Sequence, residues 1–147
     1  MTKKYFLGAP FPIVKHPRGF LHTQYGVDQI KSDLMVLLLT NPGERIMLPH
    51  FGCPLRQFLF EINDAQTLLN IRQTIIDAIT LWEPRVTIQQ IEVTNTSDDF
   101  DLNPDDTGEN NEHIVQIKIL FFDPQDITEV KELKLQLPTG GGGINAG

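Results

Sequence analysis

Three glutamates, Glu44, Glu61 and Glu83, are the side chains of this 147-residue sequence with the position to do acid–base chemistry. A pair of carboxylates hydrolyses a glycosidic bond when one is held protonated and the other ionised, at a fixed separation in a cleft. All three fall at turns or helix ends, and Arg45 follows Glu44 while Arg85 lies two residues after Glu83. A neighbouring guanidinium favours the ionised carboxylate, which is the wrong direction for a general acid. His50-Phe51-Gly52-Cys53 sets a base near a thiol, but zinc needs three or four ligands and no second cluster of His and Cys is present. Cys53, the single cysteine, reads as a small packing residue; no disulfide can form within the chain, and a reducing compartment fits.

Residues 96–112 hold Asp98, Asp99, Asp101, Asp105, Asp106, Glu109 and Glu112 with no Lys or Arg, so this one segment accounts for the whole net charge of −7. From Asp101, the oxygens of Asn103, Asp105, Thr107, Glu109 and Glu112 fall at EF-hand spacing. Asp106, however, stands where that loop needs glycine, and strands flank it in place of helices. The reading is a mobile acidic loop over 96–111, with no metal and no cofactor. The four-glycine run at 140–143 lacks a P-loop lysine and a following helix, and reads as part of a flexible tail over 138–147. The acidic balance argues against nucleic acid as a partner. The longest apolar run, Leu34 to Leu39, is too short to span a bilayer, and Tyr5 to Pro10 is too short for a signal peptide. A soluble, non-secreted protein without a membrane partner is expected.

Glu83-Pro84-Arg85 differs from the other charged positions. Proline fixes the corner, so the two charges beside it point in set directions, either as an ordinary helix-end ion pair or as a docking corner where a bidentate arginine gives orientation. A helix must deliver that corner. Leu68, Ile71, Ile75, Ile79 and Trp82 form one continuous stripe, widened by Leu69 and Ile76. They predict a helix over about 65–82, capped by Asn63 or Asp64 and stopped by Pro84.

An earlier helix, about 28–40, follows from Ile30, Leu34, Leu37 and Leu38, with Asp28 as cap and Asn41-Pro42-Gly43 as stop. Pro54 suits the first turn of a short helix carrying Leu55, Phe58 and Leu59. Val86 to Asn95 reads as a strand whose apolar parity slips at Gln89-Gln90, which predicts a β-bulge. Glu112 to Asp123 is the clearest strand, and its second half is expected to be buried on both faces. Val130 to Leu137 alternates Leu133, Leu135 and Leu137 with polar residues, an amphipathic strand beside a chain end and free to extend a partner's sheet. Residues 1–27, punctuated by proline and glycine, read as an extended arm before a single domain over 28–137.

The order of these pieces resembles the baseplate wedge and sheath-initiator family of contractile phage tails, whose relatives include a baseplate component of the type VI secretion system. The matching residues run from Leu38 to Arg45, from Met47 to Leu55, from Leu59 to Glu61, and from Ala78 to Val86. The resemblance covers about 28–137. It implies a small α+β domain, with two main helices packed on a small, mostly antiparallel sheet and a free C-terminal strand. It also implies a structural virion protein of the tail baseplate, assembled in the host cytoplasm, and not an enzyme. By this resemblance Glu83, Pro84 and Arg85, with Glu44 and Arg45, dock on the helical core of the wedge. The strand carrying Val130, Leu133, Leu135 and Leu137 joins the tail sheath protein. Six copies form a ring, with tail tube or hub proteins as further neighbours. The family has also carried a lysozyme label, which keeps a peptidoglycan-degrading carboxylate pair as the alternative.

Overall fold

Gly26 turns the chain into its first helix with φ 68°, a left-handed conformation that glycine adopts without strain. In the computed structural model, which describes residues 7–19, 22–61, 64–95, 114–123, 126–138 and 145–146, helix α1 then runs Val27–Leu39. Asp28 does not cap it as expected. Gly26 holds the cap position with no side-chain bond, and Asp28 lies in the first turn, where its charge favours the helix N-terminus. A 3₁₀ helix spans Leu55–Phe60, with Pro54 at its N-cap. Helix α2 spans Ala65–Trp82, and its cap is Asp64, whose Oδ1 accepts from the Thr67 amide at 2.8 Å. That bond holds the Asp64 carboxyl below its usual range.

The apolar stripes of both helices face a sheet. Short strands β1, Leu7–Gly8, and β2, Gln24–Tyr25, pair with each other. Strands β3 (Thr87–Asn95), β4 (Ile114–Asp123), β5 (Asp126–Pro138) and β6 (Asn145–Ala146) form an antiparallel sheet in that order. The β3–β4 register shifts between Ile88 and Gln90, the bulge that the parity slip predicts. Val115, Ile117, Ile119 and Phe121 of β4, with Leu133, Leu135 and Leu137 of β5, are buried against Ile30, Leu34, Ile75 and Ile79 of the helices. The fold class is therefore α+β, two helices on a small antiparallel sheet.

The second half of β4 is not covered on both faces. Leu120 and Phe122 are only half-buried, and among the described residues no element packs on the far side of the sheet. That side carries charge instead, with Lys118 between Glu92 at 3.5 Å and Glu132 at 4.0 Å, and Lys134 at 2.9 Å from Glu132. No helix among the described residues is long and apolar enough to cross a membrane.

Gly8, Phe11 and Gln24 lie against α1. The Phe11 amide donates to Ser32 Oγ at 3.2 Å, Ser32 Oγ donates to Gln24 Oε1 at 2.8 Å, and Gly8 approaches the Gln29 amide so closely that a Cβ would overlap it.

Between α1 and the 3₁₀ helix the backbone folds on itself. Gly43 N–H donates to Pro49 O at 2.7 Å, Leu48 N–H to Arg45 O at 3.2 Å, and Cys53 N–H to Thr40 O at 2.9 Å. Gly52 closes this loop at φ 127°, with Thr40 O 2.3 Å from where a Cβ would stand. Gly52→Ala combines a strained φ with a backbone clash and should cost roughly 2 kcal/mol or more. Urea unfolding measures it, and an unchanged midpoint would remove the glycine requirement.

Candidate functional site

Pro84 cannot continue α2, so the chain turns at Glu83, whose N–H still donates to Ile79 O at 2.8 Å, and Val86 N–H closes the turn on Glu83 O at 3.1 Å. The turn buries Glu83, only 7% exposed, at the seam between helix and sheet. A buried carboxylate needs a charged partner and its hydrogen bonds. Arg85 supplies both: its Nε donates to Glu83 Oε1 and its Nη2 to Oε2. Nη2 also donates to Asp33 Oδ2 at 2.8 Å, reaching back 52 residues to α1. Asp33 in turn accepts from Gln29 Nε2 at 2.7 Å through its other oxygen. The hydrogen bonds that Arg85 donates to Glu83, opposed in part by burial and joined by the one to Asp33, push the guanidinium above its ordinary pKa and keep it protonated.

A surface pocket of about 290 Å³ opens beside this corner, lined by Asp33, Arg45, Phe51, Trp82, Glu83 and Arg85 among others. Its floor is aromatic. Phe51 meets Trp82 edge to face, with ring centroids 5.3 Å apart. The Arg45 guanidinium lies 3.9 Å above the Phe51 ring centre, a cation–π contact that fixes its plane.

Of the residues the sequence singles out, Glu83, Arg85 and Arg45 come together here, with Pro84 setting the turn. Glu44 does not join them. Its Oε1 lies 3.1 Å from Arg56 Nη1 and its Oε2 accepts the Asn41 amide at 3.1 Å, so it braces its own loop. Asp33, Phe51 and Trp82 are the members that sequence reasoning missed. The i, i+4 spacing of Gln29 and Asp33 marks their own hydrogen bond, but nothing local marks Asp33 as the partner of Arg85. The strand residues lie elsewhere: Leu133, Leu135 and Leu137 are in the core, while Val130 is 43% exposed on the outer face of β5.

The three glutamates do not assemble for acid–base work. Glu83 is paired with Arg85, Glu44 with Arg56, and Glu61 is exposed. No group of three or more His, Cys, Asp or Glu among the described residues could hold a metal, and the EF-hand-like spacing lies outside those residues. Cys53 is buried, with Sγ 3.8 Å from Thr74 O, and burial pushes its thiol up to about 12. It is a neutral packing group at physiological pH.

The sequence profile of the family described as Baseplate wedge protein gp25 matches residues 24–121. The chain belongs to this family, and it is a baseplate wedge protein of a contractile tail. It is 30% identical over 112 residues to the Baseplate wedge protein gp25 of Enterobacteria phage T4, covering 76% of this chain and 75% of that one. Among solved structures, a chain of the anti-feeding prophage baseplate shares the fold with TM-score 0.66 and 23% identity, over 82% of this chain and 86% of its own. A putative tail lysozyme from Geobacter sulfurreducens gives TM-score 0.59 and 24% identity, over 75% and 87%. A chain of the type VI secretion baseplate complex gives 0.52 and 17%, over 75% and 90%.

Two outcomes test the site. Arg85→Met strands the Glu83 carboxylate and should cost about 1–3 kcal/mol, while adding Glu83→Gln should restore part of the loss. Strictly additive urea-unfolding energies would show that the two side chains do not depend on each other. Native protein should resist iodoacetamide at pH 8 and react fully once unfolded; rapid labelling of the native state would contradict a buried, neutral Cys53.

Proposed function

We propose that this chain docks on the baseplate wedge through its Glu83-Pro84-Arg85 corner, with Glu44 and Arg45, and templates the first ring of sheath subunits through β5. The supporting observation is the way Arg85 is held. Glu83 and Asp33 fix it from two elements, so it meets a partner already oriented and loses little conformational freedom on binding. Wedge docking is then the work of a preformed surface. Copies docked one per wedge make a ring of six in the virion's tail baseplate, assembled in the host cytoplasm, with tail tube or hub proteins as neighbours. Those features are taken from the family resemblance.

The sheath half takes a sharper form. Leu133, Leu135 and Leu137 are committed to the domain's own core, and β5 pairs with β4 in regular register from Val130 to Pro138. What β5 can offer is its other backbone edge, which among the described residues carries only the two residues of β6, opposite Leu135 and Gln136. The backbone edge of a strand can pair with a strand from another chain. Removing the whole strand is therefore a poor test, since it would empty the core.

The Geobacter sulfurreducens likeness favours a second reading, a lysozyme-like enzyme. Here two of the three glutamates are engaged by arginines. We read the chain as non-catalytic. Cleavage of peptidoglycan by the pure protein, lost in Glu44→Gln or Glu61→Gln, would reverse that.

For the wedge, Arg85→Lys keeps the charge but loses the planar fork. It should fold and yet enter baseplates about tenfold less well. Wild-type incorporation would remove the corner from the docking surface. For the sheath, single prolines at Val130, Lys131 and Glu132, inside the regular β4–β5 ladder, separate the two edges of β5. A proline whose N–H faced outward should leave the melting temperature unchanged and abolish sheath nucleation. Normal sheaths from every folded proline variant would rule out edge templating.

A further inference from the structure

The loop from Asn41 to Gly52 ends in an apolar tip. Ile46 is 94% exposed and Met47 93%, two adjacent large apolar side chains standing almost wholly in water. A slack loop would fold such residues back onto the protein. This loop is held open by its own backbone: the Leu48 amide closes a turn on Arg45 O, the Gly43 amide closes the base on Pro49 O, and Gly52 is pressed against Thr40. Glu44 ties one flank to the 3₁₀ helix through Arg56.

Arg45, immediately before the tip, is stacked on Phe51 at the rim of the corner pocket. Among the described residues it makes no ion pair. Its sequence neighbour Glu44 is turned to Arg56, and the pocket carboxylates of Asp33 and Glu83 are held by Arg85. The surface around the corner thus presents a rigid apolar projection and, one residue away, an oriented cation that makes no ion pair among the described residues.

We infer that the Ile46–Met47 tip is an apolar anchor that seats in a recess on a baseplate wedge protein, and that a carboxylate at the border of this recess pairs with Arg45. The inference rests on the wedge-docking reading above and extends that surface beyond the Glu83-Pro84-Arg85 corner. A protein recess fits better than the alternatives. Arg45 lines the pocket and directly precedes the tip, so tip and pocket are neighbours on the surface. A two-fold contact that placed one copy's tip in the other's pocket would bring arginine rims together, opposing association. A membrane would receive only two apolar side chains from a chain of net charge −7, which anionic headgroups repel. Anchors of this kind, an exposed apolar side chain filling a pocket beside a charged partner, carry a large share of the energy of protein interfaces.

The test uses wedge assemblies isolated without this chain as the probe. Three full-length variants are titrated against them: Ile46→Asp with Met47→Asp, Arg45→Glu, and the corner pair Glu83→Gln with Arg85→Met. The tip variant should keep the wild-type melting temperature, since Ile46 and Met47 stand in water, and Arg45→Glu should fold with only the small loss expected for its contact with Phe51. Each should bind about tenfold or more weakly, as expected for a truncated interface anchor. A photoreactive side chain introduced at position 47 should cross-link to a wedge protein at apolar residues next to an Asp or Glu, and changing that acid to Lys should rescue Arg45→Glu.

Wild-type affinity of the tip variant overturns the inference. So does a cross-link to another copy of this chain or to sheath, and so does tip-dependent binding to anionic lipid vesicles. If the corner pair weakens binding while the tip and Arg45 do not, the anchor is wrong and wedge docking stands. If no variant at either place weakens binding, wedge docking itself fails.

Discussion

Arg85 ties the start of the sheet to the first helix, and the geometry of the candidate site depends on that tie. Its guanidinium grips the buried Glu83 carboxylate on one side and Asp33 on the other. Glu83 caps the C-terminus of α2, Arg85 leads into β3, and Asp33 belongs to α1. Three elements that meet at the edge of the core are thereby held in one orientation. Burial raises the stakes of the arrangement, because a carboxylate at the seam is tolerated only while its partner is present. The constraint also runs outward: Asp33 holds Gln29, and Gln29 is the surface on which Gly8 of the N-terminal arm rests.

A second constraint acts on the neighbouring loop. Gly52 lets the backbone pass within reach of Thr40 O, and the resulting closure fixes both the Phe51 ring that supports Arg45 and the exposed tip. The face thus combines a charged corner, an aromatic floor, a stacked cation and an apolar projection, all positioned by backbone geometry before any partner arrives. A component that must join a large assembly gains from such order, since little entropy remains to be lost on docking. The proposed sheath contact uses different chemistry, the backbone groups along an edge of β5, a mode of recognition that depends on strand pairing and not on charge.

Much of this was legible in the sequence wherever the signal was local. The stripe from Leu68 to Trp82, the Asp64 cap and the Pro84 stop define α2 as the structure has it, and the parity slip at Gln89-Gln90 marks the bulge. Long-range pairing was not legible. Asp33 and Arg85 are separated by 52 residues, and no spacing rule joins them. The direction of Glu44 was equally hidden, because Arg45 and Arg56 are both within its reach in sequence and only the turn decides between them. The alternating leucines of β5 show why pattern does not assign ownership. A strand packing on its own helices and one packing on a neighbour have the same period, and here the leucines belong to the domain's core. Leu120 and Phe122 erred the other way, since apolar residues on a strand do not guarantee a second covering layer.

The central claim is that one end of the domain meets the wedge while the β5 edge meets the sheath. A cryo-EM map of an assembled, sheathed tail tests it directly. The account predicts that Glu83, Arg85 and Arg45 are covered by a wedge protein, and that a strand from the first sheath ring is hydrogen-bonded along β5 between Asp126 and Lys134. A corner facing solvent, or a sheath ring attached to any other surface of this chain, would contradict it.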